Sequence, residues 1–285
     1  MKTLCRHGLL ALLFIALPVM AEEDKPLWEA GLGVAAVSFP DYRGAEHRTN
    51  YVLPVPYFVY RGDFLQVDRE RIRGMLLKSD SAEIDVSVNG SVPVKSSDNP
   101  AREGMPNIPA MLEVGPSLNY RLSGRANKNQ MVELRLPIRP AFAIDGSGVH
   151  YSGWLFQPNL NVDFRNVAGL PDWNLGVMAG PIFGDKRYHQ RFYGVDAAYV
   201  TSTRPAYQAS GGYAGSQLIV ALSKHYENHW IGAFVKYDTL DHAVFVDSPL
   251  VKSRNNFSAG FAISWRIDKS ATLVPGKHEG DDDEQ

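Results

Sequence analysis

Apolar and polar residues alternate along most of this chain. In "AEIDVSVNG", Ile84, Val86 and Val88 alternate with polar neighbours, and "LEVGPSLNYRL", "VELRLPIRPAF", "WLFQPNLNVDF" and "FSAGFAISWRI" repeat the pattern. Because successive side chains of a strand point to opposite faces, this period of two predicts strands with one apolar and one polar face. We find no long amphipathic helical pattern. The chain is therefore predicted to be all-β.

The lengths of the predicted strands and connections favour an antiparallel transmembrane β-barrel over a soluble periplasmic β-sandwich, which would also alternate. Strands are predicted at 28–38, 51–60, 64–70, 72–79, 82–92, 111–122, 131–144, 150–165, 173–182, 213–224, 229–239 and 255–267. Short connections alternate with long ones at 39–50, 93–110, 183–212 and 240–254. Short periplasmic turns, long outer loops and an even strand number are typical of outer-membrane barrels. Twelve strands would place both termini in the periplasm.

Aromatic residues and prolines add detail to this picture. Aromatics lie near the predicted strand ends, as in interfacial girdles: Trp28, Phe39, Tyr51, Tyr57, Tyr60, Tyr120, Tyr151, Trp154, Trp173, Tyr213, Trp230, Tyr237 and Trp265. Pro54 and Pro56 fall inside a predicted strand, and Pro137 and Pro140 inside another. Since proline cannot donate to a strand ladder, we expect these prolines near a rim or a bulge.

The two ends of the chain indicate export. Residues 1–21 combine Lys2 and Arg6, a short apolar run and a small-residue cleavage site, which is the layout of a secretory signal peptide. Cys5 would leave with this segment, so the mature chain would have no disulfide, thiolate nucleophile or cysteine metal site. Residues 22–267 are predicted as the barrel and 268–285 as an acidic, disordered tail. The formal net charge of −2 shows no basic excess, which argues against nucleic-acid binding.

The order of several segments resembles the MipA/OmpV family, the MltA-interacting proteins of the outer membrane. The segments that carry the resemblance are "PDYRGA", "LPVPYFVYRGDFLQV", "FYGVDAAYVTSTRPAYQASGG", "HWIGAFVKYDTLDHAVFVDSPLVKS" and "FSAGFAISWRI". The resemblance covers essentially the whole mature chain. One departure is that 18 residues, Asp268 to Gln285, follow the last predicted strand, whereas such barrels usually end on its aromatic residue.

The resemblance implies a non-enzymatic scaffold in the Gram-negative outer membrane, bridging a murein-degrading lytic transglycosylase and a murein-synthesising penicillin-binding protein. Its other expected partners are outer-membrane lipid, lipopolysaccharide and the barrel insertion machinery. A narrow channel for small solutes and an adhesin remain alternatives, and a hydrolase at the barrel rim is a further one. No cofactor is expected.

Candidate chemistry is sparse in the sequence. His225, Glu227 and His229 share strand spacing but fall at a predicted turn, so we predict no metal site. No spacing singles out a nucleophile and its base, so no catalytic residue is predicted. The arginine-rich "DRERIRG" is predicted as an outer loop able to contact lipopolysaccharide. The outer loops also supply the candidate contact residues, since loops on a rigid scaffold often carry function: Asp41, Tyr42, Arg43, Ser248 and Pro249.

Overall fold

The computed structural model describes residues 24–62, 65–67, 72–74, 77–79, 81–123 and 129–274. The strands are β1 Lys25–Pro26, β2 Trp28–Pro40, β3 Arg48–Arg61, β4 Leu65–Val67, β5 Ile72–Gly74, β6 Leu77–Lys78, β7 Ala82–Ser91, β8 Ala110–Ser123, β9 Gln130–Asp145, β10 Gly148–Phe156, β11 Asn159–Arg165, β12 Trp173–Gly184, β13 Gly212–His225, β14 His229–Thr239, β15 Asn255–Lys269 and β16 Leu273–Val274. One α-helix, α1 Lys186–Tyr193, and short 3-10 helices at Ser96–Asp98, Val167–Gly169 and Ala197–Tyr199 complete the described elements.

Strands β2 to β15 form one antiparallel sheet that returns on itself. The strand path begins at β5, runs through β4, β3, β2 and β15, and continues round to β7 and β6. Its two ends, β5 and β6, are separated by two residues in the sequence, and Cα atoms of β5 lie within 8 Å of those of β7. Strands β10 and β11 both pair with β9 and with β12, so together they fill one strand position. The predicted barrel of about twelve strands is thus confirmed, with β5 and β6 sharing one position and β10 and β11 another.

The outer face of the barrel is apolar and its inner face is polar. The exposed outer residues include Leu32, Val34, Val52, Phe58, Leu118, Leu122, Ile138, Leu160, Leu218, Leu222, Val235, Phe261 and Ile267. The buried inner residues include Glu29, Asp85, Glu113, Ser117, Asn119, Glu133, Arg139, Asn161, Gln217, Asp238, Asn256 and Ser264. A soluble protein would bury the first set and expose the second. This inversion is what a lipid-facing barrel wall requires.

Pro54 and Pro56 occupy a different place from the one expected. They lie in the middle of β3, opposite Val34 and Leu32 of β2, and the register of that pair continues without a shift. On the other side of β3, pairing to β4 within the described residues involves its last two residues, Tyr60 and Arg61. Within the described residues β4 has no pair with either proline, so their lack of an N–H donor interrupts no described bond between β3 and β4.

In the second pair of prolines, Pro140 lies at a bulge, as expected, and Pro137 lies opposite the break between β10 and β11. Pro140 is opposite Trp154, where the register between β9 and β10 shifts. The Pro137 carbonyl accepts a 3.2 Å hydrogen bond from the amide of Gln157, in the break between β10 and β11. Both prolines are thus accommodated by local interruptions of the ladder.

The two ends of the described chain meet on the same side of the barrel. Lys25–Pro26 pairs with Leu273–Val274 as a small separate sheet beside the last barrel strand, which runs to Lys269. The described chain therefore extends seven residues into the stretch predicted as tail. Residues 1–23, which contain the predicted signal peptide, and 275–285 lie outside the described residues. Among the helices of the described part, none is long and apolar enough to cross a membrane.

Connections at the two ends of the barrel differ in length. The short connections 166–172 and 226–228 lie at the end where β1 and β16 pair, which we call the turn end. The long connections 92–109, 185–211 and 240–254, and the segment 41–47, lie at the opposite end, the loop end. The two-residue turn between β9 and β10 is an exception, because it is short but lies at the loop end. Four residues of "DRERIRG", 68–71, lie outside the described residues, and its last three form β5.

Candidate functional site

The four segments 41–47, 92–109, 185–211 and 240–254 fold together into one unit, which we call the loop cap. Its apolar core joins residues of these segments to the inward-facing ends of the strands beneath them. The core consists of Tyr42, Ala45, Val94, Ile108, Met111, Ala141, Ala143, Leu155, Ile182, Phe192, Tyr193, Val195, Ala209, Ala214, Leu240, Ala243, Phe245 and Leu250. This is the contiguous apolar core of the described chain, and it lies across one mouth of the barrel.

Tyr42 and Arg43, two of the predicted contact residues, hold the loop cap to the barrel. The Tyr42 hydroxyl donates a 2.8 Å hydrogen bond to the carbonyl of Leu250. The Arg43 guanidinium reaches down to Asp238 of β14 at 2.8 Å and donates to the Ala214 carbonyl at 2.7 Å. Tyr42 is buried and Arg43 is partly exposed. Their polar atoms are thus committed to joining distant parts of the chain.

Asp41 is the hub of a second set of hydrogen bonds. Its carboxylate accepts from the Asn99 amide at 2.7 Å and from the Thr49 hydroxyl at 2.7 Å, and it pairs with the His47 ring at 2.9 Å. These partners come from β3 and from two segments of the loop cap. Hydrogen bonds that involve a carboxylate are stronger than neutral ones, so Asp41 fixes the turn that presents Tyr42 and Arg43.

Ser248 and Pro249 precede Leu250, the residue whose carbonyl accepts the hydrogen bond from Tyr42. The Ser248 hydroxyl donates a 2.7 Å hydrogen bond to the Tyr193 carbonyl and accepts one from the Leu250 amide at 3.2 Å. Ser248 is buried, and Pro249 is partly exposed beside it. The structure thus gathers all five predicted residues around one apolar core. Their contact with an external partner stays a prediction, and the parts of Arg43 and Pro249 that remain exposed are the surfaces open to it.

Helix α1 is the central element of the loop cap, and the sequence analysis did not identify it. Its N-cap is Asp185, whose carboxylate accepts a 2.8 Å hydrogen bond from the Tyr188 amide. The helix packs closely on β10 at Gly153. Any larger residue there would clash, since its Cβ would lie 2.6 Å from the Tyr188 amide nitrogen. Gly153 also has a φ of +109°, where other residues are strained. The N-cap aspartate and the aromatic residues three to eight positions later were the available sequence signal.

Aromatic residues of α1 join the helix to the 240–254 segment. Tyr193 stacks on Phe245 with ring centroids 3.7 Å apart and ring planes inclined by 11°. The Tyr193 hydroxyl donates to the Arg43 carbonyl at 2.9 Å, and the Tyr188 hydroxyl donates to Glu113 of β8 at 3.0 Å. Three segments of the loop cap and the barrel wall therefore meet at this helix.

His189 lies in the same aromatic cluster and has one nitrogen without a partner. Its Nδ1 donates a 2.7 Å hydrogen bond to the Ser210 carbonyl, which fixes the proton on that nitrogen. Its Nε2 is buried and has no hydrogen-bond partner in the described part of the chain. Burial lowers the pKa of His189, and the charge of Arg43 lowers it further; the Ser210 carbonyl and Asp185 act in the opposite direction. The folded loop cap therefore holds this histidine neutral.

Burial also keeps the tyrosines of the loop cap uncharged. It raises the pKa of Tyr42 to about 12, although the nearby Arg102 guanidinium opposes the shift. Burial likewise raises the pKa of Tyr193 far above its usual range. Arg102 stands 5.8 Å from the Tyr42 ring and donates to the Phe192 carbonyl at 3.1 Å. Arg102 thus ties the 92–109 segment to the aromatic core.

Below the loop cap, the lumen contains networks of paired charges. Near the turn end, Glu29 accepts from Arg61 at 2.7 Å and from the hydroxyl of Tyr57 at 2.9 Å, with Arg266 at 3.4 Å. Tyr57 therefore faces the lumen, which corrects its expected place in the aromatic girdle. Its alternation with Phe58, exposed on the outer face, explains the difference.

A second network lies nearer the loop cap. Glu113 pairs with Arg139 at 3.4 Å and accepts from Asn89 at 2.9 Å. Arg139 also donates to the Ser87 hydroxyl at 2.9 Å and contacts Gln157. Together with the bond from Tyr188 to Glu113, these contacts link strands β7, β8 and β9, and the break between β10 and β11, to helix α1. The inner wall of the barrel is thus lined by paired charged side chains beneath the loop cap.

One serine and one histidine do come together at the loop end. The Ser147 hydroxyl is 2.8 Å from Nε2 of His150 and 2.5 Å from Asp145. All three groups are exposed on the tip of the β9–β10 hairpin. Asp145 contacts the serine and the same Nε2 of the histidine, at 3.7 Å, so it does not orient the ring from its other nitrogen as in a triad. The contacts instead belong to a hydrogen-bonded turn.

Two further features bear on the predicted chemistry. Across the described residues, no group of three or more His, Cys, Asp or Glu side chains could hold a metal ion. The His229 ring stacks on Tyr226 with centroids 4.3 Å apart, as part of the turn-end surface.

These features define a class of protein: an antiparallel β-barrel with a lipid-facing outer wall, of the kind found in outer membranes. Residues 32–267 match the family described as "MltA-interacting protein MipA", and the chain belongs to that family. This confirms the resemblance found in the sequence. No curated protein is significantly similar to the chain.

Several solved outer-membrane structures are similar to the chain. An outer-membrane channel from Pseudomonas putida F1 has 12% identity and a TM-score of 0.42, covering 88% of this chain and 99% of its own. A bacterial polysaccharide outer membrane secretin has 10% identity and a TM-score of 0.41, covering 84% and 99%. The NanC porin has 11% identity and a TM-score of 0.37, covering 83% and 100%. At these values the similarities say nothing about what this chain does.

Proposed function

We propose that this chain is a non-enzymatic scaffold of the outer membrane, with a closed lumen. It would bring a lytic transglycosylase and a penicillin-binding protein together at its turn end, which would face the periplasm after removal of the signal peptide. The family description, "MltA-interacting protein", supports the murein-enzyme partner. The loop cap is the observation that supports a closed lumen, because its apolar core lies across the barrel mouth.

The turn end offers a surface for such partners. Leu170 and Tyr226 are exposed in neighbouring turns, which are joined by a 3.3 Å hydrogen bond from the His225 amide to the Asp172 carbonyl. The Lys224 ammonium lies 4.9 Å from the Tyr226 ring. Tyrosine is enriched at interaction hot spots, and the exposed Leu170 adds apolar area beside Tyr226.

Co-purification from crosslinked cell envelopes tests the scaffold. We expect the full-length chain to capture a lytic transglycosylase or a penicillin-binding protein, and the double variant Leu170→Ala/Tyr226→Ala to lose most of this capture. Val200→Ala is the matched control, because Val200 is similarly exposed but lies in the loop cap. Capture of neither enzyme by the unaltered chain would refute the scaffold. Equal loss in the control would refute the turn-end surface.

A narrow channel for small solutes is the second candidate, favoured by the charged lumen. A water-filled passage would use inward-facing groups such as Asp85, Asn119 and Asn161. Planar-bilayer recordings separate the two proposals. The closed scaffold predicts no steady conductance from the unaltered protein, whereas discrete, reproducible steps would establish the channel.

A further inference from the structure

Helix α1 carries an exposed pair of cations at the boundary between the loop cap and the lipid-facing wall. Lys186 and Arg187 are both exposed, and within the described residues neither has a carboxylate within 4.0 Å. The Arg187 guanidinium stands 5.3 Å from the ring of Tyr151, on the outer face of β10. This pair is unlike Arg43 of the loop cap and the lumen cations Arg61 and Arg139, each of which has an acidic partner.

The aromatic side chains beneath this pair point to lipid. Tyr151 is 46% exposed and Trp154 is 42% exposed, and both lie on the apolar outer face of β10. Aromatic rings at the end of a membrane strand mark the level of the lipid headgroups. Lys186 and Arg187 therefore lie at the height where headgroup phosphates would occur, and a guanidinium can bind a phosphate through two parallel hydrogen bonds.

The helix holds this pair in a fixed position. Asp185 caps the helix and Gly153 allows it to lie directly on β10, as described above. Arg191, one turn further, donates a 3.1 Å hydrogen bond to the Ser152 hydroxyl of the same strand. The acidic group nearest to the strand tip, Asp145, interacts with His150 and Arg191. The cations Lys186, Arg187 and Arg191 therefore outnumber the nearby acids Asp185 and Asp145, and the Asp185 carboxylate is already bonded to the Tyr188 amide.

We propose that Lys186, Arg187 and Tyr151 form a binding site for the phosphate of a phosphorylated outer-leaflet lipid, such as the lipid A part of lipopolysaccharide. The guanidinium and ammonium bind the phosphate, and the ring of Tyr151 orients the guanidinium while contacting the sugar or acyl chain. This site lies apart from the turn end, so it goes beyond the scaffold role. Its failure and that of the scaffold are distinguishable, since lipid binding is measured without murein enzymes.

Native mass spectrometry of the full-length chain in detergent micelles, titrated with bisphosphorylated lipid A, tests the site. We expect Lys186→Gln/Arg187→Gln to bind roughly tenfold more weakly, as for the loss of one or two charge-assisted contacts. The matched control is Lys95→Gln/Lys252→Gln, which removes the same charge from exposed positions elsewhere in the loop cap. The control should bind as the unaltered chain does, and both variants should keep the heat-dependent gel shift of a folded barrel.

Two further probes identify the source of the phosphate. Lipid A stripped of its phosphates should bind the unaltered chain about as weakly as lipid A binds the double variant. Inorganic phosphate should compete poorly at millimolar concentration. Equal binding by the unaltered chain and the double variant would overturn the site, as would equal losses in both variants. Efficient competition by inorganic phosphate would overturn the lipid as its ligand.

Discussion

The stacked pair Tyr193 and Phe245 gives a quantitative test of the loop cap. Phe245 is fully buried, with its ring 3.7 Å from that of Tyr193 and 4.7 Å from that of His189. Phe245→Ala would leave a cavity in the middle of the core. Such a change in a well-packed core costs about 4 kcal/mol. The equilibrium between the closed and opened loop cap would then shift by about a thousandfold toward the opened form.

Limited trypsin digestion measures this shift. When opening and closing are fast relative to cleavage, the cleavage rate follows the population of the opened form. We therefore expect cleavage in 185–211 or 240–254 to be faster by two to three orders of magnitude in the variant, by the same estimate. The barrel strands should keep their heat-dependent gel shift, because they do not depend on the Phe245 ring. Opening should also allow steps of conductance in a planar bilayer.

Val244→Ala is the control for this prediction. Val244 is the preceding residue of the same segment and is 39% exposed, so its truncation should change the cleavage rate by less than about tenfold. Equal cleavage rates for the two variants would refute the cap as a cooperative unit. Faster cleavage of Phe245→Ala without any conductance would show that the lumen charges close the barrel independently.

Three further outcomes follow from the described contacts. The pKa of His189 is lowered in the folded loop cap, so the folded form binds fewer protons than the unfolded form. The stability that neutral His189 contributes to the loop cap is therefore lost as the pH falls below about 6.5. Trypsin resistance of the loop cap should therefore decrease from pH 7 to pH 5, and His189→Gln should abolish most of that dependence. Glu29→Ala should destabilise the barrel by about 2 kcal/mol, since two partly exposed arginines lose their shared partner, and this would appear as a lower temperature for the gel shift. Ser147→Ala should leave the trypsin resistance, the gel shift and the conductance unchanged. If the unaltered chain showed hydrolytic turnover and this variant lost it, the non-enzymatic proposal would be contradicted.

The barrel could be predicted from the sequence because a period of two fixes which face each residue occupies. The predicted strand 229–239 is the observed β14, and most of the other long strands differ from their predictions by a few residues at their ends. The predicted strands 72–79 and 150–165 are instead each divided into two, β5 with β6 and β10 with β11. Tyr57 shows the limit of this reasoning. Tyr57 and Tyr60 were both assigned to the girdle, although three positions along a strand put them on opposite faces of β3; Tyr57 faces the lumen, where its hydroxyl donates to Glu29 of the neighbouring strand β2. A pairing partner 28 positions away is a matter of register, which turn lengths alone do not fix.

The loop cap was much less predictable. Asp41, Tyr42 and Arg43 stood out as turn residues at a rim, but their partners Asn99, Leu250 and Asp238 lie far along the chain. Helix α1 has eight residues inside a long connection and buries three of them, too short a pattern to dominate a periodicity signal. Loop contacts of this kind depend on which strand ends the closed barrel brings together.

The long-range contacts of the loop cap also set an order of events during folding. The bond from Tyr42 to Leu250 spans 208 residues, and the 2.6 Å bond from the Gly44 amide to Asn256 spans 212. Neither can form until β15 has paired with β2, which brings the first and last barrel strands together. Contacts that close such large loops form late, because their entropic cost precedes any gain. The nascent barrel would therefore pass through a stage with an uncovered mouth, and the appearance of trypsin resistance in 185–211 would time the completion of assembly in the membrane.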